Sequence, residues 1–396
     1  MKYDFDKVLN RSNTNSLKYD CAARRGMPSD LLPLWVADMD FQAPLEVLDA
    51  LTKKAAHGIF GYSEPSDGYF TVLSKWLCNR FGWQPKREWL LHTPGIVYAV
   101  TLAIKAFTAK GDAVMIQPPV YYPFRAAVKS NNRKLINNPL QFNESTKRYE
   151  IDFADFERKI KENAVKLFIL CSPHNPVGRV WTETELQKIG EICLRHNVLI
   201  VSDEIHADFV YANNKHHVFT QLNESFYKNS IICFSPSKTF NLAGLQFSDI
   251  FIADKNLRNA FAKEYDKSGY SQLNIFGIVA AEAAYKHGAQ WLDQLIEYLE
   301  TNVRFMDEFL KKHLPKIKLI KPEGTYLAWL DFKNFGLSQK ETDLIIINKA
   351  KLWLDSGTIF GAEGTGFQRL NFACPRSVLQ QSLENLKQAF GLYGGR

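Results

Sequence analysis

KLFILCSPHNPVG, residues 166–178, and VLIVSDEIH, residues 198–206, decide how this chain folds. Each opens on a short, continuously apolar run and breaks into polar or proline-bearing residues. Between them, residues 182–196 carry helical spacing, with Thr182 and Glu185 placed as a capping box at the start. Working outward, Ala113-Val114-Met115-Ile116 upstream, ended by Pro118-Pro119, and residues 230–234 (SIICF) downstream repeat the strand pattern. Apolar strands alternating with helices imply a mostly parallel sheet covered on both faces. An α/β fold is therefore expected, with a large domain built on a central, mostly parallel sheet flanked by helices. Ligands of such sheets sit beyond the carboxyl ends of the strands. That rule selects residues 117–122, 172–178, 203–206 and 235–238.

From about residue 290 the texture changes to a smaller α+β domain. Helical spacing covers residues 291–313, 338–355 and 377–390, with strand-like runs at 316–321, 326–332 and 368–373. The expected division is residues 1–48 as an N-terminal segment packing with the small domain, 49–288 as the large domain and 289–396 as the C-terminal small domain. The 396 residues suit two cores better than one, because single cores stop growing near about 250–300 residues. A glycine-rich tail, residues 391–396, is expected to be mobile.

Composition removes several function classes. With 46% hydrophobic and 23% charged residues the chain reads as globular. The net charge of +7 is scattered in short patches such as Lys53-Lys54 and Lys311-Lys312, without interleaved aromatics, so no nucleic-acid partner is expected. No apolar run approaches the roughly 20 residues that span a bilayer, and Met1 to Asp6 lacks the apolar core of a signal peptide. Six cysteines (Cys21, Cys78, Cys171, Cys193, Cys233, Cys374) show neither CxxC pairing nor metal-like clustering; reduced thiols, a cytoplasmic location and no metal site follow. The Asn-x-Ser matches at Asn143 and Asn223 are read as chance. The loop Gly361-Ala362-Glu363-Gly364-Thr365-Gly366 is no dinucleotide fingerprint, since no buried strand leads into it and no helix follows.

The chemistry-bearing residues cluster at the selected strand ends. Lys238, in Ser235-Pro236-Ser237-Lys238, follows a buried strand; there an ammonium is costly to desolvate, so its pKa falls and the free amine can attack a carbonyl. A lysine so placed more often snorkels to solvent, so this segment alone decides little. Ser235 and Ser237 offer hydroxyls to a phosphate. Asp203 ends a strand, as a cap or salt-bridge partner also would, and is placed to keep a heteroaromatic nitrogen protonated. Asn175, held extended by Pro176, can reach a ligand oxygen or merely turn the chain. Gly95, with Ile96 and Val97, opens a helix whose first amides and dipole favour a phosphate. Tyr121 can lie on a planar cofactor or simply pack.

Order and spacing bind these pieces together. Gly95, Tyr121, Asn175, Asp203 and Lys238, with the third and fourth spaced 28 positions apart and the last two 35, resemble the aspartate-aminotransferase-like, fold-type I superfamily of pyridoxal-phosphate (PLP) enzymes. The likeness runs from Trp35 to Arg376. Finer features, Leu34-Trp35-Val36-Ala37-Asp38-Met39-Asp40-Phe41, Gly61-Tyr62, Ser202-Asp203-Glu204-Ile205-His206, Lys238-Thr239-Phe240-Asn241 and Arg369-Leu370-Asn371-Phe372-Ala373, resemble the PatB/MalY-type cystathionine β-lyase (C-S lyase) group. The resemblance implies PLP joined to Lys238 as a Schiff base, Asp203 on its pyridine nitrogen, and cofactor contacts from Gly95, Ile96, Val97, Tyr121, Asn175, His206, Ser235 and Ser237. It also implies a homodimer in which Tyr62 reaches the partner's cofactor phosphate. Arg369 is implied as the clamp of the substrate carboxylate, with Ala37, Tyr121, Asn175 and Gly324 bordering the substrate, and the strand-like segment Gly324-Thr325-Tyr326 is expected to border the same pocket. His206 replaces the tyrosine, and Gln246 the phosphate-binding arginine, that many aminotransferases carry.

The implied activity is β-elimination from L-cystathionine, L-cysteine or related S-substituted cysteines to a thiol, pyruvate and ammonia. A broad or aromatic aminotransferase is the alternative among enzymes. A PLP-binding regulatory protein is the alternative of another class, opposed by the pairing of Lys238 with Arg369, since binding alone needs no carboxylate clamp.

Overall fold

The structure, a computed structural model, describes residues 3–211 and 214–391. The four apolar runs form strands Ala113–Ile116, Leu167–Cys171, Leu199–Asp203 and Ser230–Phe234. They run parallel to one another and to Lys134–Asn137, which pairs with Ala113–Ile116 on the outer edge. Ser248–Phe251 and Leu90–Thr93 complete a seven-stranded sheet, and Ser248–Phe251 runs antiparallel to both its neighbours. The mostly parallel sheet and its flanking helices are those expected of the α/β class.

Strand parity sorts the core into two layers. Leu167, Ile169, Leu199, Val201 and Ile231 pack with helices Ile96–Phe107 and Tyr122–Ser130. Phe168, Leu170, Ile200 and Ile232 join the larger core with Leu186 and Ile189 of helix Glu183–Arg195. That helix starts at the capping box of Thr182 and Glu185. Each fully buried Leu, Ile or Phe contributes roughly 1.5–3 kcal/mol, so a one-residue slip, which would reverse every side chain, is strongly opposed. Register therefore fixes where the strand-end residues point.

A second sheet joins Lys318–Ile320, Leu327–Asp331, Phe367–Asn371 and Asp355–Ser356, all antiparallel. Helices Ala289–His313, Gln339–Asn348 and Arg376–Phe390 accompany it. The helix expected over residues 338–355 stops at Asn348. Lys351 takes a left-handed conformation (φ 53°), and Leu352–Trp353 pairs in parallel with Leu32–Pro33, while Trp353 stacks on Trp35 at 4.4 Å. Tertiary pairing with the N-terminal segment overrides helical spacing there. The same segment continues along the second sheet: the amide of Asn371 donates to Leu34 and that of Asp40 to Ala373. The loop at residues 361–366 holds a 3₁₀ turn, Ala362–Gly364, and runs into a strand rather than a helix. Of the glycine-rich tail, residues 392–396 lie outside the described residues. All six cysteines are free. Among the described residues no helix is long and apolar enough to cross a membrane, and no His, Cys, Asp and Glu cluster would hold a metal.

Candidate active site

The register aligns Cys171, Asp203 and Cys233 side by side at the carboxyl edge of the parallel strands. Because side chains alternate, Asp203 continues the face of Leu199 and Val201, toward helix Ile96–Phe107. Glu204 falls on the opposite face. There it accepts from Ser202 Oγ (2.9 Å), meets His216 Nε2 (2.7 Å) and accepts the Phe219 amide (3.1 Å). Of two adjacent acids, one is consumed by structure and the other opens into a cleft. That cleft is lined by Ala37, Ile96, Val97, Tyr121, Cys171, Asn175, Asp203, Ile205, His206 and Lys238.

Lys238 lies on the short helix Pro236–Thr239, capped by Ser235 Oγ on the Ser237 amide. Its Nζ donates to the Ala37 carbonyl at 2.5 Å, and Tyr326 Oη donates to the same oxygen at 3.0 Å. Burial brings the amine down to a pKa of about 8; Asp38 and Asp203 oppose this fall and Arg369 adds to it. Asp203, only 4% exposed, accepts one hydrogen bond, from the Ile205 amide at 3.1 Å. Burial lifts its carboxyl to about 7, with the Ile205 bond and Lys238 holding it back and Glu204 pushing further. Among the described residues it is thus a buried acid without an ion-pair partner.

Arg369, 2% exposed, reaches the cleft from the second sheet. Its Nη1 donates to Asn175 Oδ1 (3.0 Å); its Nη2 donates to the Trp35 carbonyl (2.7 Å) and to the Asp355 carboxylate. The Phe360 ring lies 4.9 Å beneath Cζ. These contacts lock the guanidinium plane, and Nε has no hydrogen-bond partner among the described residues. His206 is equally buried, edge-on to Tyr326 at 5.6 Å, with Nδ1 unpartnered among the described residues. Burial, aided by Lys238 and Arg369, keeps its imidazole well below the usual histidine range. Burial likewise pushes the Tyr121 phenol up, so both rings are neutral near pH 7.

Gly95 precedes the 12-residue helix Ile96–Phe107, and no atom lies within 4 Å of where its Cβ would be. The first-turn amides of Ile96 and Val97 have no intrahelical acceptor, and both residues line the cleft. Ser235 Oγ lies 2.8 Å from Ser237 Oγ and 2.7 Å from the Phe247 carbonyl, so its hydroxyl is engaged locally; neither serine lines the cleft. Gly324 is also set back. Its amide donates to Gly178, and an added Cβ would meet the Phe209 carbonyl at 2.6 Å, which makes it a close-packing position behind the wall. Gln246 ends a 3₁₀ turn in the left-handed conformation (φ 53°), outside the lining. Tyr62 is 94% exposed, beside Ile59 (66%) and Phe60 (56%).

Residue typing missed Asp355 and Phe360, which hold Arg369; Tyr326, which donates to the Ala37 carbonyl, belongs to the segment Gly324-Thr325-Tyr326 expected at the substrate pocket. Asp355 is the last residue of a stretch read as helix and Phe360 lies just beyond it, so no local signal marked them. Cys171 and Ile205 were legible in principle, because they share strand-end parity with Asp203.

The chain belongs to the class I and II aminotransferase family, whose model matches residues 29–386. It is 45% identical to the cystathionine beta-lyase PatB of Bacillus subtilis, over 98% of this chain and 99% of that one. Among solved structures it is similar to cystalysin from Treponema denticola, which contains a pyridoxal 5'-phosphate cofactor (TM-score 0.95, 39% identity, 99% of each chain). It is also similar to the PLP-bound C-S lyase of Staphylococcus hominis (TM-score 0.90, 33% identity, 98% of each chain).

Proposed function

We propose that this chain is a PLP-dependent carbon–sulfur β-lyase that converts L-cystathionine, L-cysteine or related S-substituted cysteines to a thiol, pyruvate and ammonia. The observation that carries this reading is the convergence of a buried low-pKa amine, a buried carboxyl and a locked guanidinium on one cleft, in a chain closely similar to C-S lyases. The residues fit the cofactor. Lys238 offers the amine its aldehyde needs, and Asp203 is a buried acid lacking the cation that a ring nitrogen supplies. His206 Nδ1 and Asn175 are assigned to the ring oxygen, Tyr121 to the ring face, and Gly95, Ile96, Val97, Ser235 and Ser237 to the phosphate.

When bound, PLP supplies an electron sink that stabilises negative charge at the substrate α-carbon. The protein does the rest. Arg369 grips the substrate carboxylate with a planar fork and so fixes the α-carbon. The freed Lys238 amine removes the α-proton, and a pKa of about 8 suits a general base near neutral pH. Asp203, ionised beside a ring cation, keeps that cation protonated. The thiolate leaves from the β-carbon.

Residues 49–288 are assigned as the PLP-binding domain, 289–396 as the small domain, and 1–48 as a segment packing on the latter. A cytoplasmic homodimer completes the reading, with Tyr62 directed at the partner's site. The exposed apolar run of Ile59, Phe60 and Tyr62 supports such an interface. The test is product analysis: purified protein with PLP and L-cystathionine, without any keto acid, releases thiol and pyruvate. Strict dependence on 2-oxoglutarate would instead identify an aminotransferase.

A further inference from the structure

We propose that Asn371 is a positioning residue for proton transfer, holding the Ala37 carbonyl as the docking point of the Lys238 ε-amine. This deepens the lyase reading and rests on it. Arg369 and Asn371 are two apart on strand Phe367–Asn371 and so share one face. That face grips the N-terminal segment. Arg369 Nη2 takes the Trp35 carbonyl, and Asn371 Nδ2 donates to both Val36 and Asp38 carbonyls, each at 2.6 Å. Asn371 Oδ1 accepts the Ala373 amide at 2.9 Å, and the residue is 0% exposed. Its hydrogen-bonding groups are committed to this one task. With the carbonyls on either side tied back, that of Ala37 receives Lys238 Nζ and Tyr326 Oη.

The segment is fastened from its other side by Asn241, three residues beyond Lys238. Its Oδ1 accepts the Met39 amide (3.0 Å), and its Nδ2 donates to the Met39 (3.0 Å) and Phe41 (2.9 Å) carbonyls. The turn bearing the amine and the oxygen that receives it are thereby held in one frame. A carbonyl accepts an N–H and cannot protonate the amine, so the docked nitrogen keeps its lone pair for the substrate. In the transfer the Cα–H bond breaks, an N–H bond forms on Lys238, and the electron pair left on the substrate expels the thiolate as the Cβ–S bond breaks. Misplacing a reacting group by 1 Å can slow such a step on the order of 100-fold.

Asn371→Asp removes the two donors while keeping shape and the acceptor for Ala373. The expected result with PLP-loaded protein and L-cystathionine is a kcat about 10–100-fold lower, KM changed less than about 3-fold, and a larger deuterium isotope effect with α-deuterated substrate. Cofactor-free Asn371→Asp should also gain the visible band about 10-fold more slowly than wild type when PLP is added. Asn241→Asp, which loses the donors to Met39 and Phe41, should shift the same quantities in the same direction and carries the test if Asn371→Asp does not fold. An unchanged isotope effect and unchanged band formation in a folded variant would overturn the proposal, whatever happens to melting temperature. If wild type gains the band yet releases no thiol, the lyase reading fails, and the rates of band formation in the variants still decide the docking role.

Discussion

Lys18 is fully buried and Lys238 is partly withdrawn from water at the cleft, and the two are treated in opposite ways. Lys18, 1% exposed, lies 2.8 Å from Asp40 and 3.7 Å from Asp38, and Arg11 bonds both acids from the other side. Charge is matched within the cluster, which ties the N-terminal segment together. Lys238 is given one neutral carbonyl at 2.5 Å. Asp203, which lines the same cleft, has a single backbone donor among the described residues where Asp40 has two cations. Complete compensation makes a fastening; incomplete compensation leaves an amine and an acid whose proton affinities have moved toward neutrality.

Three experiments would break or sharpen this contrast. The largest effect is expected for Lys238→Ala: thiol release from L-cystathionine falls about 10³–10⁴-fold while the protein stays folded, the upper range for removing a general acid–base group that also anchors a cofactor. An unchanged rate would make Lys238 as structural as Lys18. The next concerns Asp203 in cofactor-free protein. Its folded pKa of about 7 lies above the unfolded value near 4, so the folded state holds the extra proton between these limits. Its contribution to stability is complete below about pH 4 and lost as pH rises through 7, up to about 4 kcal/mol in total. Urea unfolding should show that loss in wild type, a flatter profile in Asp203→Asn, and a smaller loss in wild type once PLP is bound. A profile identical in the variant would show that Asp203 is compensated after all.

The smallest effect is expected for Lys18→Met. Removing one partner of a buried pair typically costs about 3–5 kcal/mol, and Arg11 still holds Asp40, so a loss near the lower end, about 3 kcal/mol, is expected in urea unfolding. Visible-band formation with PLP should persist below the melting temperature. A stable variant that cannot form the band would show that the N-terminal cluster takes part in cofactor capture rather than in fastening alone.

Much of this was legible in the chain. Four apolar runs and their flanking helices forecast the parallel sheet, because burial on both faces leaves an unbroken hydrophobic signature. Strand ends then pointed to Lys238, Asp203, Asn175 and Tyr121 without any knowledge of contacts, since ligands of such sheets gather there, and a glycine at a helix start pointed to Gly95. The antiparallel strand Ser248–Phe251 and the early stop of the helix at Asn348 were not legible, for pairing partners lie far away in sequence.

By itself, then, the order of residues determined the class of fold, the chemical groups at the strand ends and the family they resemble, all of which depend on local pattern and spacing. Only the tertiary structure decided which of Asp203 and Glu204 faces the cleft with free capacity, that Arg369 is braced by Asp355 and Phe360, and that a carbonyl from residue 37 meets an amine from residue 238. Desolvation and hydrogen-bond partnership arise between distant segments, and no local window of sequence contains both sides of such a contact.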